Sequence, residues 1–206
     1  MREVNIVLCG VGGQGTIAMS EVIGRAAVIE GYRVRGSEVL GMAQRGGAVT
    51  AHVRLGSGVH GPMVPEGKAD VIVSMEPSEA LRNVRYASKD TVIVISTRPL
   101  VPPSVSLGLG TYPSVDAIIE MLKKASRQVI AVDAYELALK AGAAIAANMV
   151  MLGALAGTGR LPLSVGALKR AIAERFRGRA VEVNLKAFDL GYEHVRRELR
   201  ASGPPP

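Results

Sequence analysis

Short apolar runs alternate along the chain with segments whose apolar positions recur every three to four residues. The runs predict strands at Val4–Leu8, Tyr32–Arg35, Ala48–Leu55, Val71–Ser74, Val92–Ile95 and Val129–Val132. Val71–Ser74, Val92–Ile95 and Val129–Val132 are nearly continuous in apolar character, which suits parallel strands covered on both faces. Ala48–Leu55 instead alternates, like a strand with one wet face. Helical spacing predicts helices at Ser20–Ile29, Ser78–Ala87, Ser114–Ala125, Ala134–Ala156, Ser164–Arg175 and Leu185–Leu199. Strands alternating with helices give an α/β fold, a Rossmann-like, doubly wound sheet, mostly parallel, with helices on both faces. One domain over 1–200 is expected, with 201–206 as a frayed tail, because Ser202-Gly203-Pro204-Pro205-Pro206 cannot continue a helix. Ser37–Gly47 and Pro99–Pro113 break the rhythm and are expected to be ordered loops, the kind that carries function above a parallel sheet.

Composition narrows the chemistry. The 206 residues hold a single Cys and three His. One thiol makes no internal disulfide and cannot alone anchor an iron–sulfur cluster. His52, His60 and His194 lack metal-ligand spacing, so no metal site is expected. The net charge of +7 suits a solvated basic surface, or an acidic partner or phosphorylated ligand. Five Tyr, two Phe and no Trp leave few stacking platforms, which argues against nucleic acid as a partner. Ala141–Gly159 carries no charge but is built mainly of Ala and Gly, too weakly apolar for lipid, so it reads as a buried helix and no membrane association is expected. Met1-Arg2-Glu3 leads directly into a strand, unlike a secretory leader, and a cytoplasmic protein is expected.

The richest local pattern is Cys9-Gly10-Val11-Gly12-Gly13-Gln14-Gly15, between the first strand and the first helix. Strand, glycine turn and helix N-terminus together form an anion cradle, and Gly10, Gly12, Gly13 and Gly15 would make a backbone nest there. The spacing fits the dinucleotide fingerprint, which also requires an acidic residue ending the second strand. That strand ends in Val34-Arg35-Gly36-Ser37, with Glu30 too early and Glu38 too late. The turn therefore reads as a site for a phosphate or substrate anion, as a contact with a partner's cofactor, or as a device that only seats the helix on the sheet. A free-standing nucleotide-binding oxidoreductase and a non-catalytic interaction domain remain open on these residues.

Further motifs follow in order: Glu38-Val39-Leu40-Gly41-Met42-Ala43-Gln44-Arg45-Gly46-Gly47, Ser74-Met75-Glu76-Pro77, Ala147-Asn148-Met149-Val150-Met151-Leu152-Gly153, and Val183 to Tyr192. With the first glycine turn they resemble the gamma-type domain of 2-oxoacid:ferredoxin oxidoreductases. The Gly-Met-Ala-Gln-Arg-Gly-Gly form resembles the small (beta) subunit of indolepyruvate ferredoxin oxidoreductases in particular. The resemblance implies that 1–200 is one pyruvate/ketoisovalerate oxidoreductase gamma-type catalytic domain. It also implies a subunit whose large (alpha) partner carries thiamine diphosphate and iron–sulfur clusters, with none of these bound by this chain alone. The assembly would decarboxylate an arylpyruvate, yield an aryl-acyl-coenzyme A and pass electrons to ferredoxin. A small subunit for another 2-oxoacid is the alternative.

The residues expected to bind substrate or cofactor are Gly10, Gly12, Gly13, Gln14 and Gly15 in the first turn, Gln44, Arg45, Gly46 and Gly47 in the second loop, and Glu76. Gln14 can donate and accept from its turn. Arg45 offers a planar fork for carboxylate or phosphate, or an internal clamp. Glu76 is either a strand end with Pro77 opening a helix, or a side chain at the ligand-gathering sheet edge. Asn148 is expected to fix packing or an interface, Asn184 to start a helix or turn, and Cys9 to be a small buried residue. No catalytic residue is assigned.

Overall fold

The structure, a computed structural model, describes residues 3–41 and 46–201. Six strands form one sheet in the order β2-β3-β1-β4-β5-β6. They are β1 (Val4–Val11), β2 (Val34–Leu40), β3 (Ala48–Leu55), β4 (Val71–Ser74), β5 (Val92–Ser96) and β6 (Gln128–Val132). β1, β4, β5 and β6 are parallel, while β3 runs against both β1 and β2. The mostly parallel α/β sheet read from the alternation is thus present, with one reversed strand. β4 and β5 are buried along their whole length, as continuous apolar runs in a covered sheet must be.

Side chains alternate between two cores. Ile6, Leu8, Val71, Val73 and Val94 meet α1 (Thr16–Ile29), α6 (Ala147–Gly157), α7 (Val165–Arg175) and α8 (Arg179–Ala201) on one face. Val7, Cys9, Ile72, Ile93 and Ile95 meet α2 (Pro77–Arg82) and α4 (Val115–Ala125) on the other. The remaining helices are α3 (Pro103–Ser106) and α5 (Ala134–Ala141). The α6–α8 crossing is unusually close. A Cβ on Gly153 would lie 1.9 Å from the Phe188 carbonyl oxygen, and one on Gly191 1.9 Å from the Val150 carbonyl oxygen.

Several boundaries differ from the sequence reading. The helix expected over Ala134–Ala156 breaks at Gly142, whose φ of 122° ends α5, and a 3₁₀ turn at Ala144–Ala146 leads into α6. Ser78–Ala87 is divided in the same way at Asn83, whose amide donates to the Glu79 carbonyl and accepts from Thr50. Ser37–Gly47 is not all loop, because β2 extends to Leu40 along the edge of β3. Pro99–Pro113 contains the single turn α3. Asn184 lies inside α8 and donates to the Ala180 carbonyl, since that helix begins well before Leu185.

β3 alternates as expected, with Ala48, Thr50 and Arg54 half-buried on the outer face, but that face is covered at His52. His52 is 1% exposed, because the segment holding Val59 and Val64 folds back over it. The Val64 N–H donates to His52 Nδ1 at 3.4 Å, and Tyr86 meets the ring edge-on at 5.0 Å. Burial lowers the His52 pKa, and the Arg85 charge adds to the effect. Among the described residues no helix is long and apolar enough to cross a membrane. The tail beyond Ala201 lies outside the described residues.

Candidate functional site

Chain order reverses between β1 and β4. From β1 the chain passes through α1 to β2 and β3 on one side, while β4 joins β1 on the other. Such a reversal opens a crevice at the carboxyl ends of the two strands, where ligands bind in open α/β sheets. The first glycine turn stands at this crevice. Gly13 and Gly15 hold φ of 99° and 84°, a left-handed backbone that glycine adopts without strain. The turn closes with the Gln14 N–H donating to the Val11 carbonyl at 3.0 Å.

Gln14 folds back across the turn. Its Oε1 accepts from the Val11 N–H at 2.8 Å, and its Nε2 donates to the Met75 carbonyl at 3.3 Å. One side chain therefore links the end of β1 to the end of β4 and holds the crevice in shape. The second glycine loop is drawn to the same place, with the Gly12 N–H donating to the Gly47 carbonyl at 2.8 Å. Gly46 has a φ of 79°. Gln44 and Arg45 lie outside the described residues.

The glycines have different tasks. A Cβ on Gly10 would come within 2.8 Å of Met75 Cβ, and one on Gly15 within 2.3 Å of Asn148 Nδ2. These two positions let neighbouring side chains pack. Asn148, in turn, donates to the Gly15 carbonyl at 3.3 Å and seats α6 against the turn. Gly13 faces open space. α1 starts with no side-chain cap and no acidic residue in its first turn. Its first N–H groups thus have no intrahelical acceptor. Thr16 Oγ1 is buried beside them with no hydrogen-bond partner among the described residues.

A cavity lies on each side of the turn. One, of about 460 Å³, is bounded by Gly12, Gly13, Thr16, Leu40 and Val49. The other, of about 250 Å³, is bounded by Gly13, Gln14, Met75, Arg98, Tyr135 and Ile145. The Arg98 guanidinium lies 3.6 Å from the centre of the Tyr135 ring, a cation–π contact that holds it in place. Sequence reasoning missed Arg98, Tyr135 and Thr16. The signal for Arg98 was its position just past the carboxyl end of a parallel strand.

Glu76 is fully buried, and both of its oxygens are engaged. Oε2 accepts from Ser78 Oγ at 2.6 Å and from the Glu79 N–H at 3.1 Å, capping α2. Oε1 accepts from the Leu100 N–H at 3.2 Å and from the Tyr112 hydroxyl. Glu76 therefore ties both ends of the 99–113 loop to the sheet edge, and its lone pairs are spent inside the protein. Burial first, and then the bond to Glu76, push the Tyr112 hydroxyl well above the usual tyrosine range. Burial also raises the Glu79 carboxyl, with Arg82 opposing.

Cys9 lies beneath the turn, and burial pushes its thiol up to about 12 despite the hydrogen bond to Ser74. A thiol that stays protonated at pH 8 is a poor nucleophile. Folded protein should therefore leave a disulfide reagent unconsumed at pH 8 and react with one equivalent on denaturation. Rapid labelling of the native chain would contradict the buried placement. Among the described residues, no group of three or more His, Cys, Asp or Glu side chains could hold a metal ion.

Residues 5–194 match the pyruvate ferredoxin/flavodoxin oxidoreductase family. The chain belongs to this family. It is 46% identical over 200 residues to the indolepyruvate oxidoreductase subunit IorB of Pyrococcus horikoshii, covering 97% of this chain and 99% of that one. The IorB subunit of Archaeoglobus fulgidus is 45% identical over 193 residues, covering 94% and 96%. The fold is that of a segment of the 2-oxoglutarate:ferredoxin oxidoreductase from Magnetococcus marinus, with a TM-score of 0.73 at 21% identity. That match covers 97% of this chain but 32% of the other.

Proposed function

We propose that this chain is the small (beta) subunit of a cytoplasmic indolepyruvate ferredoxin oxidoreductase. The observation that carries the reading is identity of 40% to 46% with four proteins named as indolepyruvate oxidoreductase subunits, over nearly their whole length. The assembly would oxidatively decarboxylate an arylpyruvate, transfer the aryl-acyl group to coenzyme A and pass the electrons to ferredoxin. Thiamine diphosphate and the iron–sulfur clusters would sit in the large subunit and supply the carbanion and electron-transfer chemistry.

This chain's part is to shape one wall of the site. The uncapped start of α1, with the buried Thr16 hydroxyl beside it, suits an anionic oxygen of the substrate or of coenzyme A. Gln14 holds the crevice open between β1 and β4. Arg45, in the loop that reaches Gly12 through Gly47, would add a fixed positive charge. Lower identity, 30%, to a pyruvate/ketoisovalerate oxidoreductase gamma subunit supports the second reading, a subunit for another 2-oxoacid.

The test is a substrate panel on the complex assembled with the large subunit, followed by viologen-dye reduction. Indolepyruvate and phenylpyruvate should give the highest kcat/KM, with pyruvate and ketoisovalerate far below. The reverse order would favour the second reading. Arg45→Ala in the same complex should lose turnover while assembly and folding persist.

A further inference from the structure

Among the described residues, six of the eleven exposed large apolar side chains lie at one end of the molecule. Leu40, Leu100, Val101, Leu107, Leu109 and Ile145 all sit at strand ends or loops of the carboxyl edge. Ile145 is 87% exposed, Leu109 79% and Leu107 74%. Single exposed apolar residues are ordinary, but a cluster at one edge marks a surface that another body covers. The cluster borders the cavity walled by Arg98, Tyr135 and Leu100. Tyr and Arg are the residues that most often anchor interfaces. Arg98 is stacked on Tyr135 and has no carboxylate partner among the described residues.

We infer that this carboxyl edge, centred on Ile145, Leu100 and Arg98, is the face on which the large subunit docks. The inference rests on the proposed function. Two observations favour that occupant over a second copy of this chain. The face is continuous with the glycine turns, where a partner supplying the reactive group has to reach. A chain of net charge +7 with an unpaired guanidinium on an apolar rim complements a surface that offers apolar side chains beside a carboxylate. The large subunit therefore inserts an apolar side chain into the cavity, with a carboxylate on Arg98.

The test is association of full-length variants with the purified large subunit. Ile145→Asp should weaken assembly by at least about 30-fold, as loss of an interface anchor does. Arg98→Gln should weaken it by roughly 10-fold and flatten its salt dependence. Met121→Asp, at an apolar position 43% exposed on α4, should assemble like the wild type, and all three should keep the wild-type circular dichroism. Wild-type affinity for Ile145→Asp, or equal damage from Met121→Asp, overturns the inference while leaving the proposed function intact. Failure of the wild-type chain to bind any large subunit overturns both. A homodimer that Ile145→Asp dissociates, alongside unchanged binding to the large subunit, assigns the face to a second copy and also overturns it.

Discussion

Gly191→Ala should destabilise the fold by at least about 3 kcal/mol, the upper end of the usual overpacking cost. The new Cβ would lie 1.9 Å from the Val150 carbonyl oxygen and 3.1 Å from the Ala154 nitrogen. Both are backbone atoms of α6, so no side-chain rotation relieves the clash. Gly153 makes the reciprocal contact with Phe188, so α6 and α8 are held close from both sides. Forcing them apart loosens the packing around Phe188, Val150 and Val195, which are all fully buried. Helix propensity opposes this, since alanine is better than glycine in a helix by about 1 kcal/mol, but sterics wins. The matched control is Gly24→Ala in α1, where an added Cβ meets nothing within 4 Å. That variant should gain up to about 1 kcal/mol. In thermal denaturation of a chain this size, Gly191→Ala should melt roughly 6–12 °C below wild type and Gly24→Ala slightly above it. Equal midpoints for the two variants would mean that the helices do not approach as described.

Glu76→Ala should be nearly as damaging, at about 3 kcal/mol, because it removes a helix cap and leaves buried donors unpaired. Four donors converge on this carboxylate, and two of them, Leu100 and Tyr112, come from the opposite ends of one long loop. The loss should therefore be local as well as global. Amide hydrogen exchange at Leu100 and proteolysis within 99–113 should both accelerate. Tyr112→Phe removes one of the four bonds and should cost about 1 kcal/mol. Unchanged exchange at Leu100 in Glu76→Ala would show that the loop is held by something else.

The buried strands were the most legible part of the chain. Val71–Ser74 was read to the residue and Val92–Ser96 to within one, because a strand covered on both faces must be apolar throughout. The α4 start was legible for a local reason, since Ser114 caps it by accepting from the Ala117 N–H. What escaped the reading depends on partners far along the chain. β2 is an exposed edge strand, so no apolar pattern marked its length. The break at Gly142 hid inside an Ala-rich run that scores as helix throughout. His52 looked solvent-facing until Val64 and Tyr86 covered it. At the site, the glycine turn is legible in the sequence, and the Gly12–Gly47 bond brings the second glycine loop to it. Glu76 reads from the sequence as a strand end with a helix-opening proline or as a ligand-binding side chain at the sheet edge, but not as a loop anchor, because its loop partners lie 24 and 36 residues away. The pairing of Arg98 with Tyr135 left no trace in spacing, since it needs the carboxyl ends of β5 and β6 side by side.

On the function proposed above, this polypeptide frames a reaction whose redox groups belong to another chain. The most direct measurement supplies indolepyruvate, coenzyme A and an oxidised viologen to the purified chain, then titrates in the large subunit. The chain alone should reduce no dye, and turnover should rise with added large subunit until the two are stoichiometric. Sustained turnover by the chain alone would contradict that proposal, and so would large-subunit activity indifferent to the presence of this chain.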